Sequence, residues 1–214
     1  MPQGRESTMP PVELWDSFFD CAGILDALGC RDVKGDLIEF GCGYGSFTVA
    51  AATRVAGTVY ALDIDPPMVA ATAARARQGA HRNVDVERRD FVGDGAGRPS
   101  GSVAFGMLFN ILHIEEPVLL LREAHRVIRP GGVLGVIHWK RDVPTPRGPS
   151  LDIRPRPEDC RAWGELAGFR WVRYEELPGS PWHWGMVLER PGPRRAVVGA
   201  SVVIDSRSRP ATPF

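Results

Sequence analysis

Between Asp36 and Asp65 the chain sets acids, glycines and short apolar runs at intervals that suit nucleoside binding. It reads Asp36-Leu37-Ile38-Glu39-Phe40-Gly41-Cys42-Gly43-Tyr44-Gly45-Ser46-Phe47 and, after a helical interval, Tyr60-Ala61-Leu62-Asp63-Ile64-Asp65. A short strand that runs into a glycine-rich turn, followed by a second strand ending on an acid, builds a nucleoside pocket at the carboxyl edge of an α/β sheet. Gly41 and Gly43 let the backbone turn sharply and let a ligand approach where a Cβ would stand. Asp63 can accept two hydrogen bonds from ribose hydroxyls.

The spacing argues against a dinucleotide. A pyrophosphate turn wants G-x-G-x-x-G, whereas here the run is Gly41-x-Gly43-x-Gly45, with Ser46 where the third glycine would stand. Glu39 lies two residues before Gly41, and its carboxylate would repel a pyrophosphate but suit a cationic ligand. S-adenosylmethionine carries a sulfonium and an ammonium and no phosphate. The stretch Glu39-x-Gly41-x-Gly43-x-Gly45 resembles the first motif of the class I S-adenosylmethionine-dependent methyltransferases.

Further pieces follow in the order that family uses, over roughly residues 12–190. Asp63 resembles its ribose-binding acid, and Arg89-Asp90-Phe91 its adenine-contacting acid with an apolar neighbour. Phe105 to His113 resembles the fourth strand and the loop lining the methyl donor, and Ala124 to Leu134, with Arg129-Pro130-Gly131-Gly132, the helix and turn leading into the fifth strand. The resemblance implies a Rossmann-like α/β fold: a seven-stranded, mostly parallel sheet, helices on both faces and a C-terminal antiparallel hairpin. It implies S-adenosylmethionine as cofactor. Glu39 would engage its amino end, Gly41 and Gly43 its methionine portion, Asp63 the ribose, Ile64 and Phe91 the adenine faces, Asp90 the adenine amino group, and Asn110 and Ile111 the region of the sulfonium.

The elements that must position these residues are legible from pattern. Strands are expected near 36–41, 58–63, 84–89, 102–109 and 133–139, with helices near 46–55, 68–78 and 117–128. Asp65-Pro66-Pro67 reads as a helix start with Asp65 as N-cap, and Gly79 as its stop. Such alternation implies a parallel sheet covered on both sides. Residues 141–156 read as a long loop rich in Pro and Arg, 157–167 as a helix, and 169–177 with 182–189 as a hairpin. Residues 12–35 form a helical cap ahead of the first strand: either a helix packed on the sheet, or a lid with Trp15 and Phe19 facing the substrate. Residues 1–11 are expected to be mobile or a flap. The tail 191–214 reads as a mostly mobile appendix in which Ala196–Ile204 could form one strand.

Bulk properties narrow the class. With 214 residues, one domain of 12–190 is the simplest division. Lys plus Arg and Asp plus Glu number 26 each, so no global field draws the chain to nucleic acid or anionic membrane. The apolar runs are too short to span a bilayer, and the N-terminus lacks the apolar core of a signal peptide. Four scattered cysteines form no C-x-x-C pair; they read as reduced thiols of a cytoplasmic protein, with no metal site expected.

The acceptor side is less defined. After the fourth strand the chain reads Asn110-Ile111-Leu112-His113 and lacks the N/D-P-P-Y/F clamp that holds an extruded base, so nucleic-acid amino methylation is not expected. His113 and His138 both fall at the carboxyl edge and are the candidate catalytic bases. Each could equally be a hydrogen-bonded structural histidine. Arginines of the 141–156 loop could grip an anionic acceptor, and Trp139, Trp182 and Trp184 could line an apolar pocket. With no second domain for macromolecular recognition, a small-molecule acceptor is the leading reading; oligomeric state is not legible. The alternatives are a non-catalytic S-adenosylmethionine-binding module, a nicotinamide-dependent oxidoreductase and, less in keeping with the residues after the fourth strand, an aminopropyl transferase.

Overall fold

The computed structural model describes residues 9–192. The expectations for residues 1–8 and 193–214, including the Ala196–Ile204 strand, lie outside the described residues. Helices α1 (Val12–Asp16) and α2 (Cys21–Ala27) precede β1 (Asp36–Phe40), α3 (Ser46–Ala52), β2 (Val59–Asp63), α4 (Pro66–Gln78) and β3 (Val84–Arg88). Then come β4 (Val103–Phe109), α5 (Pro117–Val127), β5 (Ile128–Trp139), α6 (Pro157–Leu166), β6 (Arg170–Glu175) and β7 (His183–Glu189). The strands form one sheet in the order β3-β2-β1-β4-β5-β7-β6. β3 through β5 run parallel, and β7 is antiparallel to both β5 and β6. Chain order reverses between β1 and β4, and the crevice at such a switch point is where α/β sheets bind ligands.

Burial explains why these segments are strands and why they take these places. Residues Val103 to Leu108 of β4 are all buried, as parallel strands covered on both faces must be. The edge strand β3, Val-Asp-Val-Glu-Arg, is half exposed and charged, which discourages further pairing. Ile38, Phe40, Leu62 and Leu108 pack under α5 and α6 on one face. Leu37, Val59, Phe105 and Met107 pack under α2 and α3 on the other. Glu39 shares the second face with Leu37, because strand side chains alternate, and it therefore meets α3.

Three local readings are corrected. The fifth strand begins at Ile128, where Ile128 pairs with Val103, and the chain then loops out before Val133 pairs with Phe105. α5 ends at Val127 because Arg129 precedes a proline, which disfavours helical backbone there. The Arg190 guanidinium donates to the carbonyls of His125, Arg126 and Ile128 and closes that helix end. Asp65 occupies the N-cap position of α4, yet its side chain makes no cap bond. Pro67 removes the N2 amide, one of the two donors that a capping carboxylate would use. The cap region is helical only as far as Ala27; the segment after it turns toward β1, with Val33 bridging Val55.

The cap is fastened to the sheet by polar contacts. Asp16 accepts from Ser46 Oγ and pairs with Arg75 of α4. Burial pulls the Asp16 carboxyl upward, but the bonds from Arg75 and Ser46 outweigh it and hold the group below its usual range. Tyr44 Oη donates to the Pro10 carbonyl at 2.8 Å. The two readings of the cap divide between its aromatic residues: Phe19 is buried against Phe47 and His183, whereas Trp15 lines the cavity described below.

Gly45, the N-cap of α3, lies against Thr72 of α4. Its φ is +77°, and a Cβ there would stand 2.9 Å from Thr72 Oγ1 and 3.1 Å from Thr72 Cα. Gly29 has φ +87° with nothing within 4 Å of such a Cβ. Gly29→Ala is therefore expected to cost about 1–2 kcal/mol from backbone strain alone. Gly45→Ala adds a clash with backbone and should cost about 2–4 kcal/mol. Urea denaturation of the two variants checks this, and equal losses would contradict the packing account.

Candidate active site

A cavity of about 420 Å³ opens at the carboxyl ends of β1, β2 and β4, within the roughly 300–1,000 Å³ range of small-molecule sites. Glu39, Gly41, Gly43, Asp63, Ile64, Asp90, Phe91, Asn110, Ile111 and His113 all line it. His138 does not, and its ring is fully buried.

One end is polar. The loop after β1 holds Gly41 and Gly43 at φ +81° and +53°, a conformation that side chains rarely adopt. Gly43 donates its amide to Asp63 Oδ2 at 2.9 Å, and Asp65 donates its amide to Asp63 Oδ1 at 3.0 Å. The carboxylate is thereby aimed along the cavity edge, and each oxygen keeps a second lone pair for a ligand. Burial pushes the Asp63 carboxyl upward, and those amides restrain the shift. Thr72 Oγ1 donates to the Gly43 carbonyl at 2.8 Å and holds the turn from the other side.

Glu39 is buried at the floor and accepts from Thr48 Oγ1. Burial pushes its carboxyl up to about 8, only partly restrained by Thr48, and the Asp63 charge adds to the rise. A cation beside it would reverse that balance. Asn110, just past β4, sits at φ +57°, and its Oδ1 and Nδ2 are buried with no partner among the described residues. Such an amide is costly unless something hydrogen-bonds it. Asp90 lines the cavity while Oδ1 accepts from the amides of Val92 and Gly93, so it also organises its own loop. Phe91 packs edge-on against Phe40, giving the cavity a rigid apolar wall.

The other end is apolar and aromatic, with Trp15, Phe47, Phe109, Trp139 and the Arg147–Pro149 strap, whereas Met9 lies over the glycine turn, its Cε 3.2 Å from where a Gly43 Cβ would stand. The strap hangs from Arg154. That guanidinium is buried, donates to the carbonyls of Lys140, Arg147 and Pro149, and lies 5.6 Å from the Trp139 ring. Arg154 is thus a structural clasp with its donors already used by its own loop. Arg141 donates to the Arg154 carbonyl. Of the tryptophans, Trp139 lines the cavity, Trp182 packs on Phe18, and Trp184 stacks beside His138. Cys42 is buried, and burial followed by Glu39 pushes its thiol up, against any nucleophilic role. No group of three or more His, Cys, Asp or Glu among the described residues is arranged to hold a metal ion.

Thr48 and Thr72 had no signal in the sequence, and the flap bearing Met9 and the Pro- and Arg-rich loop were expected only in outline. A threonine inside a helix and a proline-rich loop look alike whether they face a ligand or solvent. Their partners lie 9, 29 and more residues away.

Residues 37–132 match the family described as a methyltransferase domain. The chain is 39% identical over 107 residues to a nocamycin O-methyltransferase of Saccharothrix syringae, covering 47% of this chain and 36% of that protein. It is 32% identical over 157 residues to a ribosomal protein L11 methyltransferase of Methylococcus capsulatus, covering 68% of this chain and 49% of that protein. The chain thus spans half or less of the length of these two relatives. Its fold is shared with a SAM dependent methyltransferase from Aquifex aeolicus at TM-score 0.73 and 24% identity, covering 85% of this chain and 94% of that one. The glycine turn, the acid after β2 and the strand order agree with the methyltransferase-domain match over residues 37–132, and the fold is the one that SAM dependent methyltransferase has. No helix among the described residues is long and apolar enough to cross a membrane.

Glu39 makes the protein's stability pH-dependent with a defined sign. Its folded value near 8 lies above the ordinary 4.5, so between those values the folded chain holds a proton that the unfolded chain has lost. Its contribution therefore falls as pH rises from about 4.5 to about 8 and is level above that. Glu39→Gln should remove this component. Denaturation of both proteins between pH 5 and 8.5 checks it, and parallel curves would contradict the buried-acid account.

Proposed function

We propose that this chain transfers the methyl group of S-adenosylmethionine to a small-molecule acceptor. The observation that carries the reading is that a buried carboxyl, a ribose-type acid and an unpartnered amide face one cavity whose far end is aromatic. The polar end fits a cationic, phosphate-free adenosine compound. Glu39 would balance the ammonium, Gly41 and Gly43 would pass the methionine portion closely, and Asp63 would accept from the ribose hydroxyls. Ile64 and Phe91 would flank the adenine, with Asp90 taking its amino group, and Asn110 and Ile111 would lie near the sulfonium. When bound, the cofactor supplies an activated methyl group. The protein's remaining tasks are to align the acceptor and exclude water.

The size of the acceptor is argued from the walls. Trp15 and the strap clasped by Arg154 both line the apolar end, which suits a compact molecule better than a protein surface. The relative named for nocamycin supports the same direction. A protein acceptor is the second reading, favoured by the relatives named for ribosomal protein L11. The fold alone does not decide, since a 4+2 cyclase, SpnF, shares it at TM-score 0.68 and 19% identity over 80% of this chain and 81% of that one.

Calorimetry with S-adenosylmethionine and S-adenosylhomocysteine tests the cofactor half. Both are expected to bind, and Asp63→Asn to weaken both by roughly 10–100-fold through loss of a charged acceptor. Affinity for the cationic donor should rise with pH toward 8 as Glu39 ionises. Absence of binding for either compound would reject the function.

A further inference from the structure

Two histidines at the aromatic end form a chain of ring nitrogens whose proton positions follow from geometry. His138 Nδ1 faces the Trp139 carbonyl at 3.4 Å. A carbonyl can only accept, so Nδ1 carries the His138 proton and Nε2 offers a lone pair. That lone pair faces His113 Nδ1 at 3.3 Å, so His113 is protonated on Nδ1 and its Nε2 is left as an acceptor. The His138 ring cannot rotate freely to undo this. It is fully buried, stacked beside Trp184 with centroids 6.2 Å apart, and edge-on to His113 at 5.4 Å. Both contacts are at the long end of hydrogen-bond range, as catalytic bonds often are without substrate.

We propose that His113 Nε2 is the general base that takes a proton from a hydroxyl acceptor, and that His138 is a positioning residue that fixes its tautomer. The proposal rests on the methyl-transfer reading above. His113 lines the cavity together with Ile111, Ile114 and Trp139. His138 does not reach the cavity and acts only through His113. As the acceptor oxygen attacks, its proton passes to His113 Nε2 and the O–C bond forms. The C–S bond of the sulfonium breaks with its electron pair remaining on sulfur. The resulting imidazolium then returns its proton to water.

The surroundings keep this base neutral. Burial lowers the basicity of both rings, and Arg154 lowers it further. His113 and His183 also act on His138, the latter itself held near 3 by burial, Arg154 and Lys140. Glu39, Cys42, Asp63, Asp65, Arg89, Asp90, Glu115, Glu116 and Arg147 are the other charged or titratable groups on the cavity wall.

The same facts select the acceptor class. An amine attacks through its own lone pair and needs no base beforehand, whereas a hydroxyl sheds its proton as it attacks. A weak imidazole serves an acidic hydroxyl, a phenol or enol with a value near that of tyrosine, about 10, better than an aliphatic alcohol. The walls of Trp15, Phe47, Phe109 and Trp139 suit a flat apolar molecule.

Ring-nitrogen NMR on the full-length ¹⁵N-labelled protein at pH 7.5 reads the tautomers directly. His113 and His138 are both expected to be protonated at Nδ1. In His138→Phe, His113 should shift toward the Nε2-protonated form. His138→Gln, whose Oε1 can still accept from His113, should restore the Nδ1 form. A merely structural His138 would leave the His113 tautomer unchanged, and Nε2 protonation of His113 in the parent protein would overturn the proposal without any variant. With a phenol, an enolic 1,3-diketone and a primary amine as probe acceptors, His113→Gln is expected to lower hydroxyl transfer by roughly 10²–10⁴-fold. It should also abolish the loss of kcat at acid pH. Transfer to the amine alone, or hydroxyl transfer unchanged by His113→Gln, would overturn it. S-adenosylhomocysteine binding should be unaffected by every one of these variants, so a failure of the base leaves the cofactor reading standing, and a failure of binding is recognised separately.

Discussion

Asp63 accepts the Gly43 amide through one carboxylate oxygen and the Asp65 amide through the other, and the cofactor half of the cavity depends on that pairing. The first bond stitches the loop after β1 to the end of β2. The second holds the chain as it enters α4. Without a fixed acceptor at this point, a turn with three glycines in left-handed backbone would have many alternatives. Thr72 completes the frame by donating to the Gly43 carbonyl from α4. The acid that would receive a ribose is therefore also the group that shapes the loop around it.

Charge is placed on that frame at some cost. Glu39 lies on the face of β1 that is otherwise apolar, with a helix threonine as its hydrogen-bond donor. A buried carboxyl of this kind stays protonated until a cation arrives. Asn110 adds an amide with no partner among the described residues, at a strained backbone position. Both features weaken the protein in isolation. Such departures from local consistency concentrate where ligands bind.

The aromatic end of the cavity is held differently. Its walls come from segments distant in the chain: the stretch before α2, the carboxyl ends of β4 and β5, and a strap suspended from a buried arginine. Arg154 gives its donors to its own loop carbonyls, lies over Trp139 and acts on three histidines at once. One residue thus shapes the cavity and adds to the burial that lowers the basicity of these imidazoles.

Most of the polar end was legible in the sequence, because its signals are local. The run Glu39 to Gly45, the acid closing β2 and the Asp90-Phe91 pair each sit at a strand end, where period and turn residues give the register. The expected strands and helices stand close to where the pattern put them. The exceptions are the start of β5 and the idle Asp65 side chain, both set by prolines whose effect depends on neighbouring donors. The pairing of His113 with His138 was decided by the tertiary structure alone, since it joins residues 25 apart through the contact of β4 with β5. So was the conversion of Arg154 from a free cation into a clasp, and the division of Trp15 and Phe19 between cavity and core. Periodicity and turn chemistry fix which face of an element a side chain takes. Which partner waits on that face depends on how elements far apart in the chain pack together.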